Sequence, residues 1–394
     1  MHDYGPPRDA RELERWTALV GSSFSFPAAE LPAWRAQLGE GTERALRIDG
    51  ELAAVLGVLD MGQWFGGRRV PMGGVLAVGV EPSRRGRGLG LALMTELLRE
   101  LRARGVPLSA LYPATNTLYR AAGYEIAGAR HEFALRLREL SFARGATAAR
   151  DTWLRPARDA DEPALRALYR ERARTSSGWL DRHEYLWRRV RSWRGEERQG
   201  FVAGRGERVE GYAFLAQRRG ELLQMDVAFS DLVATTRDSG VRLLELLRDH
   251  RSLCTLARGF LAVHDPIVAL LGENGFESKL SMPWMLRVVD VAAALEARGY
   301  PAGLAATLEL DVTDDVLPEN AGRWVVAIAD GAARVERGGR GTLALDMRAL
   351  AGLYTGWQSA HDLAAGGRAA GPEDVLARAT ASFAGPAPHM PDMF

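Results

Sequence analysis

A glycine- and arginine-rich segment, residues 81–90 with the sequence EPSRRGRGLG, is the part of the chain best suited to chemistry. It follows an apolar run at residues 75–80 and precedes four leucines spaced as on one helix face, which predicts a strand, a loop and a helix. A helix start offers unpaired backbone N–H groups and the positive end of the helix dipole. Glycine lets a ligand lie close to the backbone, and arginine donates charged hydrogen bonds to phosphate. The segment is therefore a candidate pyrophosphate site.

Two common nucleotide-binding loops are excluded. A Walker loop requires Gly-Lys-Ser/Thr, and the only lysine in the sequence is Lys279. A dinucleotide fingerprint requires a third glycine or alanine, and an acidic residue about 20 positions further on. Leu91 and Leu93 occupy the two possible third positions, and residues 106–119 contain no acid. The phosphate ligand must be of another kind.

The composition is that of an ordinary soluble protein: 394 residues, of which 47% are hydrophobic and 26% are charged. The 51 basic and 50 acidic residues nearly balance, which gives no support for nucleic acid or an anionic membrane as a partner. The single cysteine, Cys254, excludes an intrachain disulfide, and the first residues lack the features of a signal peptide. The seven histidines have no metal-ligand spacing. We therefore expect a cytoplasmic protein without a metal, a nucleic-acid partner or a membrane partner.

Residues 182–198 combine arginines with Trp187 and Trp193. Basic residues interleaved with aromatic ones are also found in nucleic-acid sites. A solvated, arginine-rich helix face is the preferred interpretation, because arginine replaces lysine almost throughout this chain.

Three short strings recur in the same order at an offset of about 150 residues, which predicts a tandem duplication. RDARE at 8–12 matches RDADE at 158–162, ELLR at 96–99 recurs at 245–248, and GYE at 123–125 matches GFE at 275–277. In the second copy the counterpart of the phosphate loop is TRDSG at 236–240. It keeps one glycine and contains an aspartate, which would repel phosphate. We expect only the first copy to bind the ligand.

Changes of pattern along the chain predict its division into units. Residues 140–152 lack periodicity and are typical of a linker. After residue 286 short apolar strands alternate with turns, and two helices follow near residues 347–354 and 373–383. The sequence predicts an α+β fold with mixed α/β sheets, divided into units 1–140, 151–286 and 287–394.

The loop RGRGLG at 85–90 resembles the acetyl-coenzyme A loop of the GNAT N-acetyltransferases, Arg/Gln-x-x-Gly-x-Gly/Ala. With two such units and an α+β tail, the whole chain resembles the enhanced-intracellular-survival (Eis) family. Its members have a catalytic GNAT domain, a central GNAT domain without cofactor binding, and a sterol-carrier-protein-like (SCP2-like) domain. VDVAAALEARGY at 289–300, LYRAAGY at 118–124 and the ending DMF carry the rest of the resemblance.

The resemblance implies an acetyl-coenzyme A-dependent N-acetyltransferase of small-molecule amines, including aminoglycosides acetylated at several positions. It also implies a homo-oligomer, a hexamer of two trimers. Two departures weaken the aminoglycoside expectation: an aspartate near Phe24 is missing, and Met393 stands where members carry an acid. The competing function is a non-catalytic protein whose third domain binds an apolar ligand. The residues do not identify the amine.

The catalytic roles follow from the resemblance. Tyr119 is the expected general acid, because a phenol titrates close to an alkyl thiol and can protonate the leaving sulfur. The alternative is that this tyrosine only packs a helix against the sheet. The expected base is the C-terminal carboxylate, on Phe394, and the alternative there is a frayed terminus. A bulge at Gly79 would free the backbone around it for the pantetheine arm, whereas close packing under a neighbouring strand is equally consistent with a glycine. The expected cofactor-binding residues are Val78, Gly79, Val80, Arg85, Gly86, Arg87, Gly88, Leu89 and Gly90.

Residues 24–34 match the substrate-facing region of the family. Phe24 and Trp34 can stack on a sugar or a cation, and Glu30 can attract an ammonium group. The alternative is that these aromatic residues belong to the core side of an amphipathic helix.

Overall fold

The chain folds into three units of mixed helices and strands, and the computed structural model describes residues 2–193, 195–219 and 225–394. None of the helices in these ranges is long and apolar enough to span a membrane.

The first unit places the predicted strand, loop and helix in the expected order. Its elements are, in chain order, β1 (His2–Gly5), α1 (Ala10–Phe24), α2 (Leu31–Leu38), β2 (Glu43–Ile48), β3 (Glu51–Phe65), β4 (Arg68–Val80), α3 (Leu89–Ala103), β5 (Leu108–Leu111), α4 (Asn116–Ala121) and β6 (Glu125–Arg136). Helix α3 connects β4 to the parallel strand β5 and buries Leu93, Leu97 and Leu101 completely. The apolar face recognised in the sequence therefore fixes this helix on the sheet.

The central unit repeats this arrangement. It contains β7 (Thr152–Pro156), α5 (Glu162–Arg174), β8 (Leu180–Asp181), α6 (Glu184–Arg191), β9 (Ser192–Trp193), β10 (Glu196–Glu197), β11 (Gln199–Arg205), β12 (Arg208–Arg219), β13 (Met225–Ala234), α7 (Arg237–Asp249), β14 (Cys254–Phe260) and β15 (Phe276–Val288). Helix α7 again connects two parallel strands, β13 and β14. The expected duplication is thus seen as a second strand–helix–strand unit.

One sheet joins the first two units. Its strand order is β1-β2-β3-β4-β5-β15-β6-β14-β13-β12-β11-β7, with β8 paired to β3. Strand β15, at the end of the central unit, lies between β5 and β6 of the first, with Leu286 opposite Ala110 and Trp284 opposite Gly128. The domain limit expected at residue 286 falls inside this strand.

The third unit has its own sheet, in the order β18-β17-β16-β19-β20. Its elements are α8 (Val291–Ala297), β16 (Ala306–Thr313), β17 (Gly322–Ala329), β18 (Ala332–Arg337), β19 (Leu343–Asp346), α9 (Met347–Thr355), α10 (Ala360–Ala365), β20 (Ala369–Ala370) and α11 (Glu373–Ser382). Both helices predicted after residue 340 are present as α9 and α11. Beyond α11 the chain returns to the other two units, where Met390 donates its N–H to the carbonyl of Ala129 at 3.2 Å.

The insertion of β15 gives a stability prediction. A Cβ atom on Gly128 would lie 2.3 Å from the indole of Trp284, which is completely buried. Gly128→Ala should therefore cost about 1–3 kcal/mol through overpacking and lower the denaturant midpoint measured by tryptophan fluorescence. Gly5→Ala is the control, because its Cβ would meet nothing within 4 Å. Equal midpoints for the two variants would contradict the packing of β15 against β6.

Candidate active site

The loop between β4 and α3 is open to a ligand. Gly86 and Gly88 both have φ of +76°, and a Cβ on either would meet nothing within 4 Å. Gly88 is the N-cap of α3, and no side chain in the described ranges caps this helix. Arg85 and Arg87 are exposed beside it. The loop thus combines free helix N–H groups, positive charge and backbone that can touch a ligand.

Gly90 has a different role from the other two glycines. A Cβ at this position would lie 3.2 Å from both methyl groups of Leu118 on α4. The missing side chain lets the start of α3 approach α4. The two helices that carry the loop and Tyr119 are therefore neighbours.

The equivalent helix start of the central unit is capped by a side chain of its own loop. Thr236 accepts a hydrogen bond from the N–H of Ser239 at 3.3 Å, so the start of α7 is capped. Asp238 in the first turn forms an ion pair with Arg205 at 2.6 Å. This arrangement supports the expectation that only the first copy binds a phosphate ligand.

The bulge expected in β4 is present, but it lies at Ala77 rather than Gly79. One extra residue of β4 is inserted opposite the stretch from Val55 to Gly57, and Ala77 has a φ of +55°. Gly79 instead packs against helix α1, because its Cβ would lie 2.8 Å from the hydroxyl of Ser23. The close-packing interpretation holds for this glycine, with a helix as its main neighbour.

Strands β4 and β5 diverge just before the bulge. Their parallel pairing covers Met72 to Gly74 on β4 and ends at Ala110 on β5. The edge of β4 that continues through Val78 and Val80 is thus separated from β5 as it approaches the loop. A cleft between two parallel strands can take an extended ligand arm along one edge.

Tyr119 lies on α4, next to this end of the sheet. Its side chain is 5% exposed, and burial raises its pKa to about 12. The ring meets the Tyr124 ring edge-on at 6.2 Å. The Tyr124 hydroxyl donates to Ser109 at 2.7 Å, whereas that of Tyr119 has no partner among the described residues. Tyr124 is therefore the packing tyrosine, and Tyr119 keeps a protonated hydroxyl available.

The end of the chain is docked, not frayed. Phe394 is 9% exposed, and its ring meets that of Tyr112 at 6.0 Å. The same ring lies 3.0 Å from the position of a Cβ on Gly74, the last residue of β4 that pairs with β5. The terminal residue of the third unit is therefore held where the two strands of the first unit diverge.

A buried ion cluster from the central unit fixes this tail. Arg182, whose side chain is 1% exposed, donates from Nε to both carboxylate oxygens of Asp392 at 3.0 Å. Its two Nη atoms each bind Asp231 at 2.7 Å. The Tyr169 hydroxyl donates to Asp392 at 3.0 Å. Burial would lower the pKa of Arg182, but the two aspartates raise it well above its ordinary value.

Side chains of the first unit donate hydrogen bonds to the backbone of the same C-terminal segment. The Tyr112 hydroxyl donates to the carbonyl of Asp392 at 2.7 Å, and Arg130 Nε donates to that of Pro391 at 2.9 Å. Sequence reasoning missed this cluster. It also assigned Arg182 to a solvated helix face, which is wrong for this residue.

The expected substrate-facing residues are only partly brought together. Glu30 and Trp34 line an open groove of about 630 Å³ with Phe26 and Trp193. Trp34 stacks on Trp16 at 6.3 Å, and its ring meets that of Phe26 at 5.6 Å. Phe24 is 48% exposed at the end of α1 and does not line the groove. Phe26, two residues later, lies in the position expected for an aromatic contact.

Comparisons with known proteins agree with this geometry. Family models for an acetyltransferase (GNAT) domain match residues 7–127 and 178–288, and a sterol carrier protein domain matches residues 291–391. A GCN5-related N-acetyltransferase from Anabaena variabilis is 32% identical, with a TM-score of 0.94 and complete coverage of both chains. N-acetyltransferase Eis of Mycobacterium tuberculosis is 29% identical over 81% of this chain and 79% of its own.

The chain belongs to the GCN5-related N-acetyltransferases and is homologous to the Eis N-acetyltransferases. A similar structure from Kribbella flavida, also a GCN5-related N-acetyltransferase, is 28% identical with a TM-score of 0.86. Its coverage is 100% of this chain and 98% of the other. The expected fold of two GNAT units and a sterol-carrier-type unit is confirmed, and the chain is an acyltransferase.

Substitution of Arg182 in this ion cluster should release the docked C-terminal residues. Arg182→Met would leave two buried carboxylates without their cation, at a cost of about 3–5 kcal/mol. We expect faster proteolytic removal of the C-terminal residues, followed by mass spectrometry. Arg251→Met, at an exposed ion pair with Asp249, is the control and should behave as the parent chain. A tail that stays protected in Arg182→Met would contradict the docking role of the cluster.

Proposed function

We propose that this protein transfers an acetyl group from acetyl-coenzyme A to an amine, with the coenzyme A pyrophosphate bound by residues 85–90. The observation that carries the proposal is the uncapped start of α3 behind Gly86 and Gly88, flanked by exposed arginines. The capped and acidic loop of the central unit supports one such site per chain.

The cleft beyond Gly74 suits the rest of the coenzyme. The pantetheine arm would run along the free edge of β4 and accept and donate hydrogen bonds at Val78 and Val80. Gly79 allows α1 to close against the other side of this strand. The thioester would then lie near the divergence of β4 and β5, where the Phe394 ring is docked.

The proposed reaction is a direct transfer. The amine nitrogen attacks the thioester carbonyl, a C–N bond forms, and the C–S bond breaks. The α-carboxylate of Phe394 takes the proton that the attacking amine loses, directly or through water. The Tyr119 phenol gives its proton to the departing thiolate, and its raised pKa keeps it protonated at neutral pH.

The groove with Glu30 and Trp34 is the proposed acceptor site, with Phe26 in the role expected of Phe24. Aminoglycosides remain a candidate acceptor class by kinship, and the two missing acids argue against tight binding of polycations.

A hexamer and a cytoplasmic location also remain predictions. Light scattering that gives a 43.0 kDa species would contradict assembly.

Binding of acetyl-coenzyme A can be tested at Gly88, whose backbone conformation asparagine and aspartate both tolerate. Gly88→Asp places a negative charge at the helix start, as Asp238 does in the central unit. We expect it to weaken acetyl-coenzyme A binding at least tenfold more than the neutral Gly88→Asn, measured by calorimetry. Equal dissociation constants for the two variants would contradict a pyrophosphate at this loop.

A thermal-shift comparison separates the two functional hypotheses. Acetyl-coenzyme A should raise the unfolding midpoint by mass action, and a fatty acyl ligand should not. Stabilisation by the fatty acyl ligand alone would favour the apolar-ligand carrier instead.

The general acid can be tested against its neighbour. Tyr119→Phe should lower kcat about 10²–10⁴-fold without changing acetyl-coenzyme A affinity, because only the proton donor is lost. Tyr124→Phe removes the hydrogen bond to Ser109 and should leave kcat close to that of the parent. Thiol release measures both. A Tyr119→Phe enzyme with normal kcat would rule out this role.

A further inference from the structure

A second cavity, of about 310 Å³, lies beside the docked tail. Pro391, Asp392 and Met393 form one wall, and β6, α6, β13 and β14 supply the others. Its volume is at the lower end of the range for ligand pockets, which suits a group of amino-acid size. Met393 directly precedes Phe394, so the cavity adjoins the proposed base.

Five of the described residues that line this cavity are arginines: Arg130, Arg189, Arg198, Arg218 and Arg258. Two carboxylates outside the lining pair with three of these arginines. Glu196 pairs with Arg198 at 3.2 Å and with Arg218, and Asp226 pairs with Arg258 at 3.0 Å.

The two acids of the lining have other partners. Glu132 pairs with Lys279 at 3.0 Å, and Asp392 pairs with Arg182. Across residues 2–193, 195–219 and 225–394, neither Arg130 nor Arg189 forms an ion pair. The arginines of the lining outnumber its acids, and Arg130 and Arg189 have no carboxylate partner within ion-pair distance among the described side chains.

Aromatic rings hold these two cations in place. The guanidinium of Arg130 lies 3.2 Å above the Phe260 ring, and that of Arg189 lies 3.7 Å above the Trp193 ring. Arg189 donates to the Tyr185 hydroxyl at 3.2 Å, a neutral acceptor. Burial lowers the pKa of Arg130; the charges of Tyr112, Asp392 and Glu132 oppose this shift, and the like charge of Arg189 adds to it. Two fixed, partly desolvated cations in one cavity favour an anionic ligand.

The cavity adjoins the acceptor groove. Trp193 lines both spaces. The Tyr185 hydroxyl accepts hydrogen bonds from Trp34 at 3.1 Å and from Arg189. The arginines of the cavity are therefore neighbours of the Trp34 groove.

We propose that the acceptor amine also bears an oxyanion, a carboxylate or a phosphate, which Arg130 and Arg189 bind in this cavity. The inference rests on the proposed acetyl transfer and narrows its substrate class from amines in general to acidic amines. It also gives a reason for the missing acids of the aminoglycoside-acetylating pattern, because a polycation would meet uncompensated positive charge here.

Matched amine pairs test this proposal by thiol release from acetyl-coenzyme A. Lysine and cadaverine differ by a carboxylate, and phosphoethanolamine and ethanolamine differ by a phosphate. We expect kcat/KM at least tenfold higher for the acidic member of one pair, and which pair responds identifies the oxyanion.

Charge removal in the cavity then tests the assigned residues. Arg189→Gln should reduce the preference for the acidic amine at least tenfold, mainly through KM, and Arg189→Lys should restore part of it. Activity with the amine that lacks the oxyanion should fall much less than activity with its acidic partner, whereas a merely structural role would lower both equally. Arg251→Gln, at the exposed ion pair with Asp249, is the matched control for loss of one arginine charge.

The possible failures are distinguishable. Thiol release with neutral amines but no preference for acidic ones would overturn the acidic-amine inference and leave acetyl transfer intact. A preference that survives both Arg189→Gln and Arg130→Gln would overturn the assignment to this cavity. No thiol release with any amine, together with no binding of acetyl-coenzyme A, would overturn the proposed function itself.

Discussion

The buried pairing of Arg182 with Asp392 is the interaction on which the arrangement of the active site depends. Asp392 stands two residues before the end of the chain, and its partner belongs to the central unit. Two carboxylates around one guanidinium, with tyrosine hydroxyls as further donors, satisfy charges that would be very costly to bury alone. Because the cluster fixes Asp392, it also limits where Phe394 can lie. The proposed base thus belongs to the third unit, is positioned by the central unit and acts in the active site of the first unit.

This dependence gives the central unit a physical role, although the start of its own helix α7 is capped by Thr236. It supplies β15, which completes the sheet of the first unit between β5 and β6. It also supplies the cation of the tail cluster and, through α6, walls of the groove and of the arginine cavity. A duplicated domain whose phosphate loop is capped can thus serve as structural support for the other copy.

Local patterns in the sequence were sufficient for some of these features. The leucines of α3 repeat at helical spacing and glycines precede them, so the helix and the loop before it were predicted correctly. The bulge was placed two residues late, because alanine at position 77 gives no signal of a positive φ. Phe24 was preferred to Phe26 because the end of α1 at Phe24 could not be located to the residue.

The remaining features depend on contacts between distant parts of the chain. Arg182 and Asp392 are 210 residues apart, and neither has a local pattern that marks it as buried. Trp284 and Gly128 meet only because a strand of one unit enters the sheet of another. Such pairings follow from tertiary packing, which periodicity and short motifs do not encode.

We infer that the central unit acts on catalysis by positioning the terminal carboxylate. A double-mutant cycle on kcat tests it most directly, with Arg182→Met, a chain extended by one glycine after Phe394, and both changes together. If Arg182 works by positioning that carboxylate, the combined variant should be no slower than the extended chain alone. Independent effects, with the two losses in kcat multiplying, would contradict the account.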